Sequence, residues 1–395
     1  MIYFFTILLL LVFIIRYDIN GKKLYRDKCY LLMLVIFILL AGLRWRVMMD
    51  TPNYIYYFYY IYPSLNEFTF EDYPIGKDPF YVLINSFVKS LGGRFYWVQL
   101  IEAAFVNILV FKYFKRHCNY IFTCLFFYAF TCYLGYSMET MRAGFSFVLC
   151  LYANDYILDK KWIKGYLLLI LALMFHAQTI VMFVVPILFF MRFNKIGLIM
   201  CVCALILGFV VQRGLGTYLE LLEMFDSISD KASMYAGSDK YGTQGGNLNF
   251  YIVRIFPNLF YSLFCLFYLK KFHPDSKVLK VEPFIMCGVF FLLIQMSMQI
   301  AYRYVDYFRI FFIIFYAETF IMIIHDSKIL SRSLATIRAL IVFLPFILLV
   351  GYSMYLSAYT FYPYSSVIDR RIIRQREWKY EQTDKITPYA DIDEY

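Results

Sequence analysis

Long apolar runs recur along the whole chain, each ended by a short polar connection. They fall near 1–15, 29–43, 95–111, 120–138, 142–158, 163–191, 196–212, 250–269, 283–300, 304–325 and 338–358. A lipid bilayer is the solvent in which such a pattern is stable, because each run can bury its backbone as a helix among acyl chains. A span with its connection takes roughly 30 residues, so the chain has room for about 12 or 13 crossings. Composition agrees: 62% of the 395 residues are hydrophobic and only 17% are charged. A soluble domain of this size could not hide that surface. The fold class expected is all-α, polytopic and integral to the membrane, with about 12 transmembrane helices. A soluble enzyme, a disordered chain and a disulfide scaffold are excluded.

Net charge is +10. In a polytopic protein that excess reads as basic cytoplasmic loops, with no nucleic acid implied. The nine cysteines show no metal-ligand spacing and read as small core residues, so no metal site is expected. The first apolar run has no basic residues before it and no small-residue cleavage site, so it reads as a retained span.

Basic connections at 16–28, 112–117, 160–164, 192–195, 270–280 and 327–338 assign those loops to the cytoplasm. The complementary stretches 44–78, 133–141, 213–249, 301–303 and the tail after 358 then lie outside. Twelve crossings result if 163–191 makes two and 80–91 makes none, with both termini outside. The run 163–191 is either one long tilted helix or two short ones turning near His176. Segment 80–91 is too short and polar to span, and reads as re-entrant or interfacial. Residues 1–358 form one helical domain in this reading, 213–249 its largest external loop, and 359–395 a polar tail. The basic stretch 370–376 pulls the tail the other way, toward the cytoplasm.

Ionisable groups in or beside apolar spans need a partner or a task. Four clusters stand out, all at the predicted outer face. Arg44, Arg46, Asp50 and Tyr54 follow the second span, with a run of tyrosines behind them. Two arginines at an outer membrane edge call for an anion, and guanidinium binds phosphate bidentately. The blander reading is an aromatic belt with Arg–Asp pairing. Arg142 opens a span, with Glu139 as a structural i,i+3 alternative. His176 sits mid-run with Gln178 two residues on, where a helix-contact histidine is the alternative. Tyr302, Asp306 and Arg309 share one helix face, and Arg303 lies three before Asp306. That face suits an anionic, sugar-bearing ligand, against a buried Arg–Asp tie between helices.

In this order and spacing the clusters resemble the EpsG family of Wzy-like polymerases. Gly42, Arg44, Asp50 and Tyr54 match a G-x-R-x-x-x-G-x-D-x-x-x-Y pattern whose second glycine is Met48 here. Arg142-Ala143 stands for the family's Arg-Gln, and Phe175-His176-Ala177 keeps its Phe-His. Arg303 with Tyr307-Phe308 and Pro363-Tyr364 match later elements. The resemblance runs from about residue 41 to 364. It implies a polymerase of bacterial exopolysaccharide or O-antigen at the outer face of the cytoplasmic membrane. Its substrates are undecaprenyl-diphosphate-linked oligosaccharide repeats, used without a nucleotide sugar, an obligatory metal or another cofactor. Membrane lipid, a chain-length regulator and a flippase are the neighbours it implies.

On this reading Arg44, Arg142 and Arg303 neutralise the diphosphate leaving group. His176 or Asp50 takes the acceptor's proton; the sequence does not choose between them. Arg46, Tyr54, Gln178, Tyr302, Asp306 and Arg309 line the substrate. Rival readings are a lipid-linked oligosaccharide flippase or other transporter, a membrane acyltransferase modifying the polysaccharide, and a structural partner of a synthase. A flippase favours pseudo-symmetric halves, and no repeat is found.

Overall fold

The computed structural model describes residues 2–68, 78–188, 191–222, 251–296, 301–326 and 332–370. Among them the chain is helical throughout, with no strand beyond one isolated bridge. Contacts divide it into two units, 1–183 with 354–395, and 184–353. The sequence reading had one domain and a separate tail. Of the tail expected at 359–395, the described residues 359–370 belong to the first unit.

The first unit contains α1 (Ile2–Phe13), α2 (Arg26–Gly42), α3 (Thr51–Tyr56), α4 (Pro79–Ser90), α5 (Phe95–His117), α6 (Ile121–Thr131), α7 (Met141–Leu158) and α8 (Trp162–Phe175). Small residues let the helices meet closely. Helices α2 and α5 run antiparallel, with Tyr30 hydroxyl bonded to Phe111 O at one end and Gly42 against Leu100 at the other. A Cβ on Gly42 would stand 2.9 Å from Leu100 Cα, so only glycine fits. Helices α7 and α8 form a hairpin. Gly165 lies against Ala153 and Ile157, Ser146 Oγ donates to Ala172 O at 2.7 Å, and Phe145 stacks on Phe175 at 4.7 Å. This pairing places the start of α7 beside the end of α8.

The opposite end of the unit is laced with ion pairs. Lys115 meets Asp27 at 2.7 Å, and Asp155 takes Arg116 at 3.2 Å and His117 at 2.9 Å. Asp18 accepts the amide of Thr123 at 2.7 Å near the start of α6. Two of the basic connections, 16–28 and 112–117, meet here.

The run 163–191 does not make one helix. Helix α8 stops at Phe175, His176 is extended, and 177–183 continues as a 3₁₀ turn. Phe183 returns to within 6.0 Å of Tyr166, so the chain doubles back at His176. Helix α4 matches the short segment expected at 80–91. Its 12 residues span about 18 Å, too little for a bilayer. Its buried side is Tyr81, Val82, Asn85, Ser86 and Val88.

The second unit holds α9 (Lys195–Leu222), α10 (Phe256–Phe272), α11 (Glu282–Gln295), α12 (Arg309–His325) and most of α13 (Arg332–Leu356). Helix α12 is its centre: 89% of an apolar 18-residue stretch of Tyr302–His325 is buried, against 22% of the corresponding stretch of Ser333–Leu356. Gly288 of α11 admits Phe312 so closely that a Cβ would lie 2.5 Å from its ring. Ser262 and Tyr316 share a hydrogen bond at 3.0 Å between α10 and α12.

Six helices among the described residues are long and apolar enough to cross a membrane, not the twelve expected. They begin at Ile2, Phe95, Tyr251, Lys277, Tyr302 and Ser333. Other apolar runs form shorter helices, such as Ile121–Thr131 and Trp162–Phe175. Helix α9 carries regular structure to residue 222, inside the expected loop 213–249; the remainder of that loop from 223 lies outside the described residues. So does the basic stretch from 371.

Candidate active site

Three helix ends in the first unit meet at one carboxylate. It belongs to Asp78, immediately before α4. Pro79 opens that helix with its ring pre-set for the first turn. Asp78 is held in the left-handed region, φ +44°, and its side chain does not cap its own helix. It turns outward to other elements. Arg142 Nη1, at the start of α7, reaches Asp78 Oδ2 at 2.6 Å. The Ala177 amide donates to Oδ1 at 3.1 Å. His176 Nδ1, just past α8, stands 3.9 Å from the same Oδ1. The hairpin of α7 and α8 thus brings Arg142 and His176 onto one acid. Glu139, the local alternative partner of Arg142, lies in the preceding turn, and the pair that forms is with Asp78.

His176 Nε2 lies 3.1 Å from Gln178 Oε1. An amide oxygen only accepts, so with the amide in this orientation Nε2 is the donor of that bond, while Nδ1 faces Asp78. The helix break at His176 creates this geometry, because a continued helix would aim Gln178 away from its neighbour two residues back.

Tyr54 joins from α3. Its ring lies 5.8 Å from the Arg142 guanidinium carbon. Burial pushes its hydroxyl well above the usual phenol value, against the pull of Arg142 and with the push of Asp50, so it is a neutral hydroxyl at working pH. Asp50 is half-buried one residue ahead of α3. Behind Tyr54 lies a tyrosine ledge, with Tyr56 and Tyr60 5.4 Å apart and Tyr57 stacked on Tyr62 at 5.7 Å. Lys89 Nζ fastens the ledge through the carbonyls of Tyr59 and Tyr62.

Arg44 is buried, with its guanidinium occupied by the protein. It donates to Ala41 O, to Ser137 O at 3.4 Å and to Met138 O at 2.8 Å. Desolvation pulls its pKa down, partly offset by the Glu102 carboxylate. Arg46 is also buried, beside the Trp45 ring, with φ +48°. Met48 has φ +77°, the left-handed conformation that glycine favours. The 43–48 turn is clipped to the segment after the last span. Trp45 N donates to Ser365 O, Met48 N to Thr360 O and Val367 N to Leu43 O, at 2.8–2.9 Å.

The second unit holds the fourth cluster. Residues 302–308 form a short helix and a 3₁₀ turn ahead of α12. Asp306 pairs with Arg309, and Arg303 Nε donates to the Tyr302 hydroxyl at 3.3 Å. All four are half-buried, as is Tyr304, whereas Val305, Tyr307 and Phe308 are buried.

Asp78 escaped the sequence reading. Its one local signal is Asp-Pro ahead of an amphipathic segment, which marks a helix start and says nothing of a partner 64 residues away. Chemically the cluster offers a guanidinium, a proton-accepting nitrogen, and an acid that faces both. Arg142 Nε is also buried with no hydrogen-bond partner among the described residues.

Comparison with known proteins gives one family. The EpsG family profile matches residues 27–366, most of the chain, and this is a family of Wzy-like polymerases. No curated protein and no solved structure matches. Six membrane-length apolar helices fit its multi-pass character. The chain belongs to the EpsG family.

Proposed function

We propose that this protein polymerises a bacterial surface polysaccharide, an O-antigen or exopolysaccharide, at the outer face of the cytoplasmic membrane. It transfers a growing glycan from undecaprenyl diphosphate to the next lipid-linked repeat. The observation that carries this reading is Asp78 facing both Arg142 and His176 at one end of the first unit. The basic connections gather at the other end, which the charge rule puts in the cytoplasm.

The acceptor hydroxyl oxygen bonds to the anomeric carbon of the donor glycan. The carbon–oxygen bond to the diphosphate breaks, and its electron pair leaves with the diphosphate. The hydroxyl proton goes to His176 Nδ1. Asp78 then faces an imidazolium instead of a lone pair, a repulsive contact turned attractive as the proton arrives. Arg142 stabilises charge gathering on the leaving phosphate, with Nε its open donor. Tyr54 and the tyrosine ledge contact sugar rings. In the second unit the same reading gives Tyr302, Arg303, Asp306 and Arg309 to the anionic substrate.

Arg142→Ala is expected to abolish long polymer with the protein still in the membrane. The loss should be about 3 kcal/mol or more, roughly a hundredfold in rate. Arg142→Lys should recover only part, since ammonium cannot bind bidentately. Single lipid-linked repeats should accumulate, seen as a short band on a glycan gel. Full-length polymer at parental levels from Arg142→Ala overturns the assignment.

A further inference from the structure

The turn Gly135–Glu139 leads into α7 and so sets where Arg142 stands. Its middle is fastened from three helices. From the end of α2, Arg44 donates to the carbonyls of Ser137 and Met138. From α5, Asn107 Nδ2 donates to Ser137 Oγ at 3.1 Å. From α6, the Tyr128 hydroxyl donates to Asn107 Oδ1 at 3.3 Å and lies 3.2 Å from Ser137 Oγ. One arrangement of protons satisfies all three contacts. Asn107 donates to Ser137, Ser137 to Tyr128, and Tyr128 back to Asn107. The ring is closed, and each of its members is buried, as is Arg44.

A buried polar ring of this kind is costly when partly broken and no better than apolar packing for bulk stability. What it adds is a fixed geometry, and the element it fixes carries Arg142. We propose that Asn107, Ser137, Tyr128 and Arg44 form a seat that positions Arg142, with Arg44 holding the protein's own carbonyls and not the substrate. All four are positioning residues, and their effect on turnover rests on the polymerase reading above.

The test compares Tyr128→Phe, Ser137→Ala, Arg44→Lys and Arg142→Lys in proteoliposomes supplied with lipid-linked repeats. Tyr128→Phe keeps the ring and loses only the hydroxyl. The three seat variants should lower kcat between about tenfold and a hundredfold and leave KM within about threefold, because a displaced catalytic group is felt mainly in the transition state. Arg142→Lys should also raise KM. A raised KM in Arg44→Lys, with parental kinetics in Tyr128→Phe and Ser137→Ala, would put Arg44 on the substrate and overturn the seat.

A second readout is independent of the reaction. Arg142→Cys, made with Cys203→Ser to remove the exposed cysteine, is labelled with a soluble maleimide. Adding Tyr128→Phe or Ser137→Ala should speed labelling at least about threefold as the turn loosens. An unchanged labelling rate overturns the seat whatever the protein catalyses. Faster labelling, alongside no polymerase activity in the protein that keeps Arg142, would keep the seat and discard the function.

Discussion

At the residue scale, Asp78 separates chemistry from architecture. Its left-handed backbone is a strained conformation for a residue with a side chain, and strain of this kind persists where the surroundings hold it. Asp78→Asn keeps the shape and removes the charge. Polymerisation should fall by about a hundredfold or more, since both the guanidinium pair and the imidazolium's partner are lost. Rate measurements on purified protein decide this, and an Asn variant within threefold of the parent (about 0.65 kcal/mol) would remove Asp78 from the mechanism. His176→Gln should lose about 10²–10⁴-fold if Nδ1 takes the proton; should it remain active while Asp50→Asn fails, the base is Asp50. Met48 gives a different test. Glycine occupies this place in the family pattern, and the observed φ of +77° explains why. Met48→Gly should be tolerated, trading lost side-chain burial for relaxed backbone. Met48→Val, β-branched at positive φ, should destabilise by about 1–3 kcal/mol, read from the thermal unfolding of solubilised protein.

Helices and turns carry the next set of constraints. Gly144 lies one turn into α7, and a Cβ there would stand 2.3 Å from the Tyr136 carbonyl and 2.7 Å from Glu102 Oε1. The first of these is backbone and cannot swing aside. Gly144→Ala should therefore push the 135–139 turn away from α7, at a cost of about 1–3 kcal/mol and with loss of polymer. Gly135→Ala is the control, because nothing lies within 4 Å of its added Cβ. A melting temperature in Gly144→Ala equal to that of the control would contradict the packing described. Elements were legible in the sequence wherever apolarity was continuous, as in α5, α12 and α13. The break at His176 was left as one of two choices, since hydropathy reports burial and is blind to direction. Arg142, His176, Gln178 and Tyr54 were picked out because charged or polar groups are rare beside spans. Asp78 was not, since its partners are brought by the α7–α8 hairpin and by nothing near it in the chain. Arg44 stands out in the sequence as a cation at an apolar edge, but the acceptors it holds are carbonyl oxygens of the protein itself.

For the whole molecule, the 43–48 turn is hydrogen-bonded to 360–367, so both lie on the same side of the membrane. The basic turn near Leu24 is at the far end of α2. Ile368 and Leu24 are both strongly exposed, at 84% and 64%. With Cys203 replaced, a cysteine at Ile368 should react with an impermeant thiol reagent in intact spheroplasts. One at Leu24 should react only once the membrane is breached. The reverse would move the proposed site to the cytoplasm. The number of crossings was the least legible quantity, because α6 and α8 are apolar but short, and length alone does not say whether they traverse.

The clip between 43–48 and 360–367 joins the beginning of the chain to a segment made more than 300 residues later. A ribosome delivers the turn that carries Arg44 long before it delivers the strap that closes it. Until the last span is threaded, the amides of Trp45 and Met48 lack their native acceptors and the Leu43 carbonyl its native donor, and the turn has no reason to hold two left-handed residues. Assembly of the end that carries the proposed site is therefore tied to completion of synthesis. A chain stalled or clipped short of residue 360 keeps most of its hydrophobic mass in the bilayer yet lacks the closing strap, so half-made copies would be inserted and silent.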